Sequence, residues 1–163
     1  MRFTFNPEAP GFIPSQPLPQ HLDHKPVFAL PYEAFDGPYA GKTDVQFVSV
    51  GIAQYDPDEA SIKTMRYTGT KWTRQAEELP LHRPVDMTIF LAKAVFDSAG
   101  GAIAIPSQTF HLQTSEIAVM REQRNFGENA SFDAAVAKVA PGLRERLNTL
   151  RVLLNDLSRD GKI

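Results

Sequence analysis

Eight of the chain's thirteen prolines fall within its first forty residues. Proline fixes φ and lacks an amide hydrogen, so this stretch can be neither regular helix nor central strand. Residues 1–23 therefore read as an extended arm, with short polyproline II stretches about Pro14, Pro17 and Pro19. Phe12, Ile13, Leu18 and Leu22 are the apolar side chains that can pin the arm to its own or a neighbouring subunit. Residues 24–163 are then expected to form a single domain, long enough to bury a core.

The remaining pattern predicts an α+β fold: an antiparallel meander of three to five strands packed against two or more helices. Val27–Leu30, bracketed by Pro26 and Pro31, reads as a short edge strand, and Asp36-Gly37-Pro38 as a turn. Residues 44–54 read as a central strand, apolar on both faces, in which Gly51 marks a bulge or a close backbone approach. Ser61–Thr68 alternates as a half-exposed strand, and Trp72 is expected to start a third. Val85–Ala99 carries a broad apolar stripe, which predicts a heavily buried helix stopped by Gly100-Gly101. Ala102–Ile105 is a further short strand. Gln108–Gln113 is expected to be strand and Glu116–Arg124 helix. Ser131 is placed as the N-cap of a last helical segment that Pro141-Gly142 should break or kink. Beyond it, Leu143, Leu147, Leu150, Leu154 and Leu157 recur at four-three-four-three, a seam two heptads long.

Composition excludes several classes. With no cysteine there are no disulfides, thiolate zinc sites, iron–sulfur clusters or cysteine nucleophile, and a reducing cytoplasm fits. The first residues show no apolar secretory core, and no run approaches the ~20 apolar residues of a spanning helix, so neither export nor membrane insertion is expected. A net charge of −2 gives no broad positive field for nucleic acid. Arg121, Arg124, Arg144, Arg146 and Arg151 are interspersed with Glu116, Glu122, Glu128 and Glu145, which reads as a mixed, solvated helix surface. Glycine-rich phosphate loops, nucleophile elbows and His-Glu-x-x-His are absent, and no cofactor is implied.

The densest polar stretch is Lys71–Asp86, which runs into the apolar Met87–Phe96. Glu78, His82 and Asp86 are spaced i, i+4, i+8, so on an unbroken helix they would share a face and could hold a divalent metal. Pro80 and Pro84 argue against that helix. The preferred reading is an irregular helix entrance: Asp86 near the helix N-terminus, Arg83 paired with Glu77 or Glu78, and His82 bonded to a carboxylate or backbone group. The functional alternative makes His82 a general base oriented by Glu78, with Arg74 or Arg83 stabilising an anionic substrate. In it, Trp72, Arg74 and Glu77 would contact the ligand. Trp72 reads first as a core anchor, although cation–π contact with Arg74 is open to it. His21 and His24 lie i, i+3 on the arm with Asp23, without further ligands at zinc spacing.

Four segments together resemble a family of uncharacterised bacterial proteins: His24-Lys25-Pro26-Val27, Asp36-Gly37-Pro38-Tyr39-Ala40, Thr43-Asp44, and Trp72-x-Arg74-Gln75-x-Glu77-Glu78-Leu79-Pro80-Leu81-His82-Arg83. The similarity covers roughly residues 24–98. Pro84 departs from the pattern, and the arm and C-terminal helices lie outside it. The resemblance implies a bacterial cytoplasmic protein and draws attention to residues 72–83, without naming a reaction. The sequence thus points to a non-enzymatic binding or interaction protein, self-associating through the leucine seam or the arm. A small hydrolase with its site at residues 72–86 is the alternative.

Overall fold

The structure is a computed structural model and describes residues 15–98, 101–122 and 129–163. Phe12 and Ile13 lie outside them. Contacts divide the chain into two units that meet in sequence between Thr88 and Ile89.

The first unit is the expected meander. Strands β1 (Lys25–Pro31), β2 (Val45–Ile52), β3 (Ala60–Arg66) and β4 (Glu78–Pro80) form one antiparallel sheet in the order β1-β2-β3-β4. Two short 3₁₀ turns, Glu33–Phe35 and Gly37–Tyr39, connect β1 to β2 where the Asp-Gly-Pro signal stands. Trp72 does not open a strand: it makes a single bridge with Tyr67, and the fourth strand begins six residues later.

Because side chains alternate across a strand, cross-strand partners share a face. One face carries Phe47 and Ser49 of β2, Ser61, Lys63 and Met65 of β3, and Glu78 of β4. Residues 15–24 cover it. Leu22 is buried with Phe47 and Met65, and Leu18, Ala29 and Trp72 pack around them. The arm's expected pins Leu18 and Leu22 thus belong to the core of their own subunit; Leu22 is fully buried, which contributes about 1.5–3 kcal/mol, and Leu18 is half-buried beside it. The opposite face pairs Phe28 with Val50, Leu30 with Val48, Val50 with Ile62 and Ile62 with Leu79. There Phe28 is 75% and Leu30 57% exposed.

Gly51 marks both features that its position suggested. The β1–β2 register slips between Pro26 and Phe28, opposite Gly51 and Val50. A Cβ on Gly51 would lie 2.0 Å from the Lys25 carbonyl oxygen and 2.9 Å from Pro26 Cα.

In the second unit, β5 (Ala102–Ile105) pairs antiparallel with β6 (Ile117–Met120). This corrects the expected strand-then-helix order of residues 106–122. Gln108 and Leu112 both take positive φ, 64° and 60°, which interrupts an extended backbone. Gln113 instead organises the loop: its amide donates to the carbonyls of Pro106 (2.9 Å) and Ser115 (2.8 Å), and its side-chain oxygen accepts from the Phe110 amide (3.1 Å). The run Ile117–Met120 then reads as strand because it has an apolar partner in Ala102–Ile105.

Helix α1 spans His82–Phe96 and α2 spans Asn129–Arg159. Pro84 sits in the first turn of α1, where its missing amide is not needed, and the Thr88 hydroxyl donates to its carbonyl at 2.7 Å. The helix ends at Phe96, before the glycines expected to stop it; Gly101 takes φ +80° at the start of β5, and Gly100 lies outside the described residues. The expected heavy burial is not seen. No residue of α1 is fully buried, and Val85 (59%) and Met87 (55%) are the most exposed of its large apolar side chains. Periodicity identifies an apolar stripe but not what faces it.

Nor does Pro141 break the last helix. α2 runs through it, since proline removes one hydrogen bond while its φ remains helical. Ser131 lies inside the first turn rather than capping it. Arg121, just beyond β6, grips Asp133 of that turn with two hydrogen bonds (3.1 and 3.0 Å) and lies over the Phe132 ring. At the other end the Lys162 amide donates to the Leu157 carbonyl (2.9 Å) and the Gly161 amide to that of Ser158 (3.0 Å). With Gly161 at φ +66°, this is a Schellman cap.

Gly51→Ala is expected to destabilise the first unit by roughly 1–3 kcal/mol or more, because the obstacle is backbone that cannot swing away. Chemical denaturation checks it; a midpoint equal to wild type would show that β1 is not held against Gly51.

Candidate functional site

The sheet face beneath residues 15–24 divides into an apolar end and a polar end. At the polar end, consecutive positions explain the arrangement. Glu77, just before β4, and Glu78, its first residue, are successive positions of an extended backbone and point to opposite faces. Glu77 turns outward, where the Thr64 hydroxyl donates to it and Arg66 Nη1 lies 3.4 Å away. Those bonds from Thr64 and from its own backbone amide hold its carboxyl below the ordinary value. Glu78 turns inward, with its side chain only 3% exposed.

Strand β3, the turn after β2 and the covering segment supply the partners of Glu78. Its Oε1 accepts from the Ser61 hydroxyl (2.6 Å), the Gln54 amide (3.0 Å) and His24 Nδ1 (2.9 Å). Lys63 Nζ lies 3.5 Å from Oε2 and donates to the Ala76 carbonyl at 3.2 Å. Burial pushes the Glu78 carboxyl up, but the bonds from Ser61, Gln54 and His24 and the charge of Lys63 outweigh it, so the group sits below its ordinary range. A carboxylate can only accept, which places the imidazole proton on Nδ1. In the neutral ring Nε2 is then the acceptor for Ser49 Oγ at 2.9 Å.

Ser49, His24 and Glu78 thus stand in the hydrogen-bond order of a nucleophile relay. Their surroundings do not suit catalysis. Ser49 and Ser61 are fully buried, and His24 and Lys63 are each 1% exposed. Ser49 lies in a central strand, paired with Ala29 on one side and Lys63 on the other, so the neighbouring amides serve the sheet rather than an oxyanion. What the arrangement does chemically is satisfy a buried acid, base and imidazole at once.

The residues singled out in the sequence separate. Glu78 meets His24, a histidine outside the polar stretch 71–86, rather than His82. The His82 ring is exposed at the first turn of α1 and makes no hydrogen bond or ion pair among the described residues, which corrects the expectation that it satisfies a carboxylate or backbone group. Arg83 and Arg74 are also exposed, and the expected pairing of Arg83 with Glu77 or Glu78 does not form. Glu77 pairs with Arg66 instead. Trp72 is half-buried against Tyr67 and Phe47, with ring centroids 5.4 and 6.2 Å apart, so it anchors the core rather than stacking with Arg74. No three His, Cys, Asp or Glu side chains gather to hold a metal among the described residues, so Glu78, His82 and Asp86 do not converge. A shallow groove of about 450 Å³ along α2, lined by Arg144, Asn148 and Val152 among others, and a cavity of about 130 Å³ beside Ile103 and Phe132 contain none of these residues.

The family model of a family of unknown function, DUF6530, matches residues 17–159. The chain belongs to this family. The match takes in the covering segment, the sheet and α2, so the C-terminal helix that lay outside the motif resemblance is part of the family's extent. No curated protein and no solved structure matches the chain. No helix among the described residues is long and apolar enough to cross a membrane.

His24→Ala is expected to cost about 1–3 kcal/mol, because it leaves the buried Ser49 hydroxyl without its imidazole partner and removes one of the bonds to the Glu78 carboxylate. His82→Ala should stay within about 0.5 kcal/mol of wild type, as surface changes do. Thermal melts of the two variants check the pair; equal losses would show that the buried network is not what holds the sheet.

Glu78→Gln tests the charge. A carboxyl whose folded pKa is lowered contributes stability that is complete above its unfolded value and is lost as pH falls through the folded one. The variant should therefore be less stable than wild type at pH 7, with the gap closing below about pH 4. A gap that stays constant down to pH 3 in denaturant titrations would contradict it.

Proposed function

We propose that the chain is a non-enzymatic interaction protein of the bacterial cytoplasm that associates with copies of itself through the leucine seam of α2. The carrying observation is how little apolar surface the helices bury. α2 is 31 residues long, and none of its described side chains is fully buried. Leu150, Leu153 and Leu154 are between 37% and 43% exposed. Helical stability in proteins comes mostly from packing an apolar face, which favours a partner along this one. The cytoplasmic and bacterial parts rest on the missing cysteines and the motif resemblance. The arm is a weaker candidate, since Leu18 and Leu22 are engaged on their own sheet.

Against the hydrolase alternative, Glu78 is committed to His24, which leaves His82 without the carboxylate that would orient it as a base. Sedimentation of the full chain over micromolar to millimolar concentrations should show a concentration-dependent dimer, lost in Leu150→Lys/Leu154→Lys. A strict monomer throughout would overturn the proposal. So would turnover on a panel of esters and phosphoesters that disappears in His82→Ala.

A further inference from the structure

The seam's flanking residues say how two copies would meet. With Leu143, Leu150 and Leu157 at d and Leu147 and Leu154 at a, the g positions are Arg146, Leu153 and Asp160, and the e positions are Arg144, Arg151 and Ser158. The helical bond pattern continues to Asp160, whose amide donates to the Asp156 carbonyl at 3.0 Å, so Asp160 keeps its place on the helix surface.

In a parallel pair each g residue faces the e residue of the partner's next heptad. That sets Arg146 against Arg151 twice and leaves Leu153 facing Ser158. In an antiparallel pair g faces g and e faces e. Leu147 then packs opposite Leu157, and Leu150 opposite Leu154. Arg146 meets Asp160 twice, and Leu153 meets its own copy at the two-fold axis. Arg151 meets itself once. Arg144 faces Ser158 and keeps its place over the Phe96 ring, 5.2 Å from the centroid. The antiparallel arrangement exchanges two like-charge pairs for two opposite ones and one like-charge pair, and it buries a leucine that is otherwise 38% exposed.

We infer that the partner of α2 is a second copy of this chain, bound antiparallel about a two-fold axis near residues 152–153, with Arg146 and Asp160 setting the register. The inference rests on the self-association proposed above. A symmetric pairing of this kind uses the same patch twice and closes on two copies.

The absence of cysteine permits a direct test on the full chain. Leu153→Cys should be joined into a covalent dimer by oxidation or a short bis-maleimide, whereas Leu147→Cys should not. Arg146→Asp and Asp160→Arg should each weaken the dimer, by roughly two- to thirtyfold in dissociation constant for two lost pairs. The double variant should restore it. If wild type dimerises but Leu147→Cys cross-links and Arg146→Asp tightens the dimer, the helices run parallel and this inference fails while self-association stands. If no dimer forms at any concentration, self-association itself fails, and this inference with it.

Discussion

A single carboxylate organises the first unit. Glu78 collects a hydroxyl from β3, an amide from the turn after β2 and the imidazole of the covering segment, with Lys63 of β3 beside it. Burying that charge without such partners would cost several kcal/mol. The shortest strand of the sheet is therefore placed by its polar contacts at least as much as by its three-residue ladder. The same bonds hold down the covering segment: His24 reaches the network only if residues 15–24 lie across the sheet, and in that position Leu22 closes over Phe47 and Met65. The polar and apolar ends of this core support each other.

Three of the four strands of the first unit, and its turns, were legible because their signals are local; β4 was not, since its residues read as a helix entrance. Alternation marked β2 and β3, the bracketing prolines marked β1, and a glycine in a strand marked the close approach of Lys25. The buried network was not legible, because it is built from residues whose usual place is the surface. Lys63 alternates with Ile62 and Thr64, and nothing in that alternation says that the lysine side is the inner one. Glu78 was singled out for its spacing to His82 along a helix, yet it lies in a strand, where its partners come from β3, from the turn after β2 and from a histidine 54 residues away. The one sequence sign of that contact was the motif resemblance, which includes both His24 and Glu78 without showing that they touch.

The second unit shows where periodicity misleads. Gln108–Gln113 alternates, but two positive φ values and a glutamine side chain bonded to three carbonyls give a loop. Pro141 reads as a break, yet one lost hydrogen bond among many leaves a long helix continuous. By contrast the leucine seam survives intact on α2, and the Schellman cap at Gly161 ends the helix only after the last leucine of the seam.

The edges of the sheet bear on how such a protein can assemble. β1 is an edge strand with Pro26 near one end and Pro31 at the other, and β4, at the opposite edge, is three residues long and ends in Pro80. Prolines and short lengths are poor templates for strand addition. Strand addition at a free edge repeats without limit, since each new copy offers another edge. A sheet blunted at both sides can expose Phe28 and Leu30 on its face without inviting growth along its own ladder.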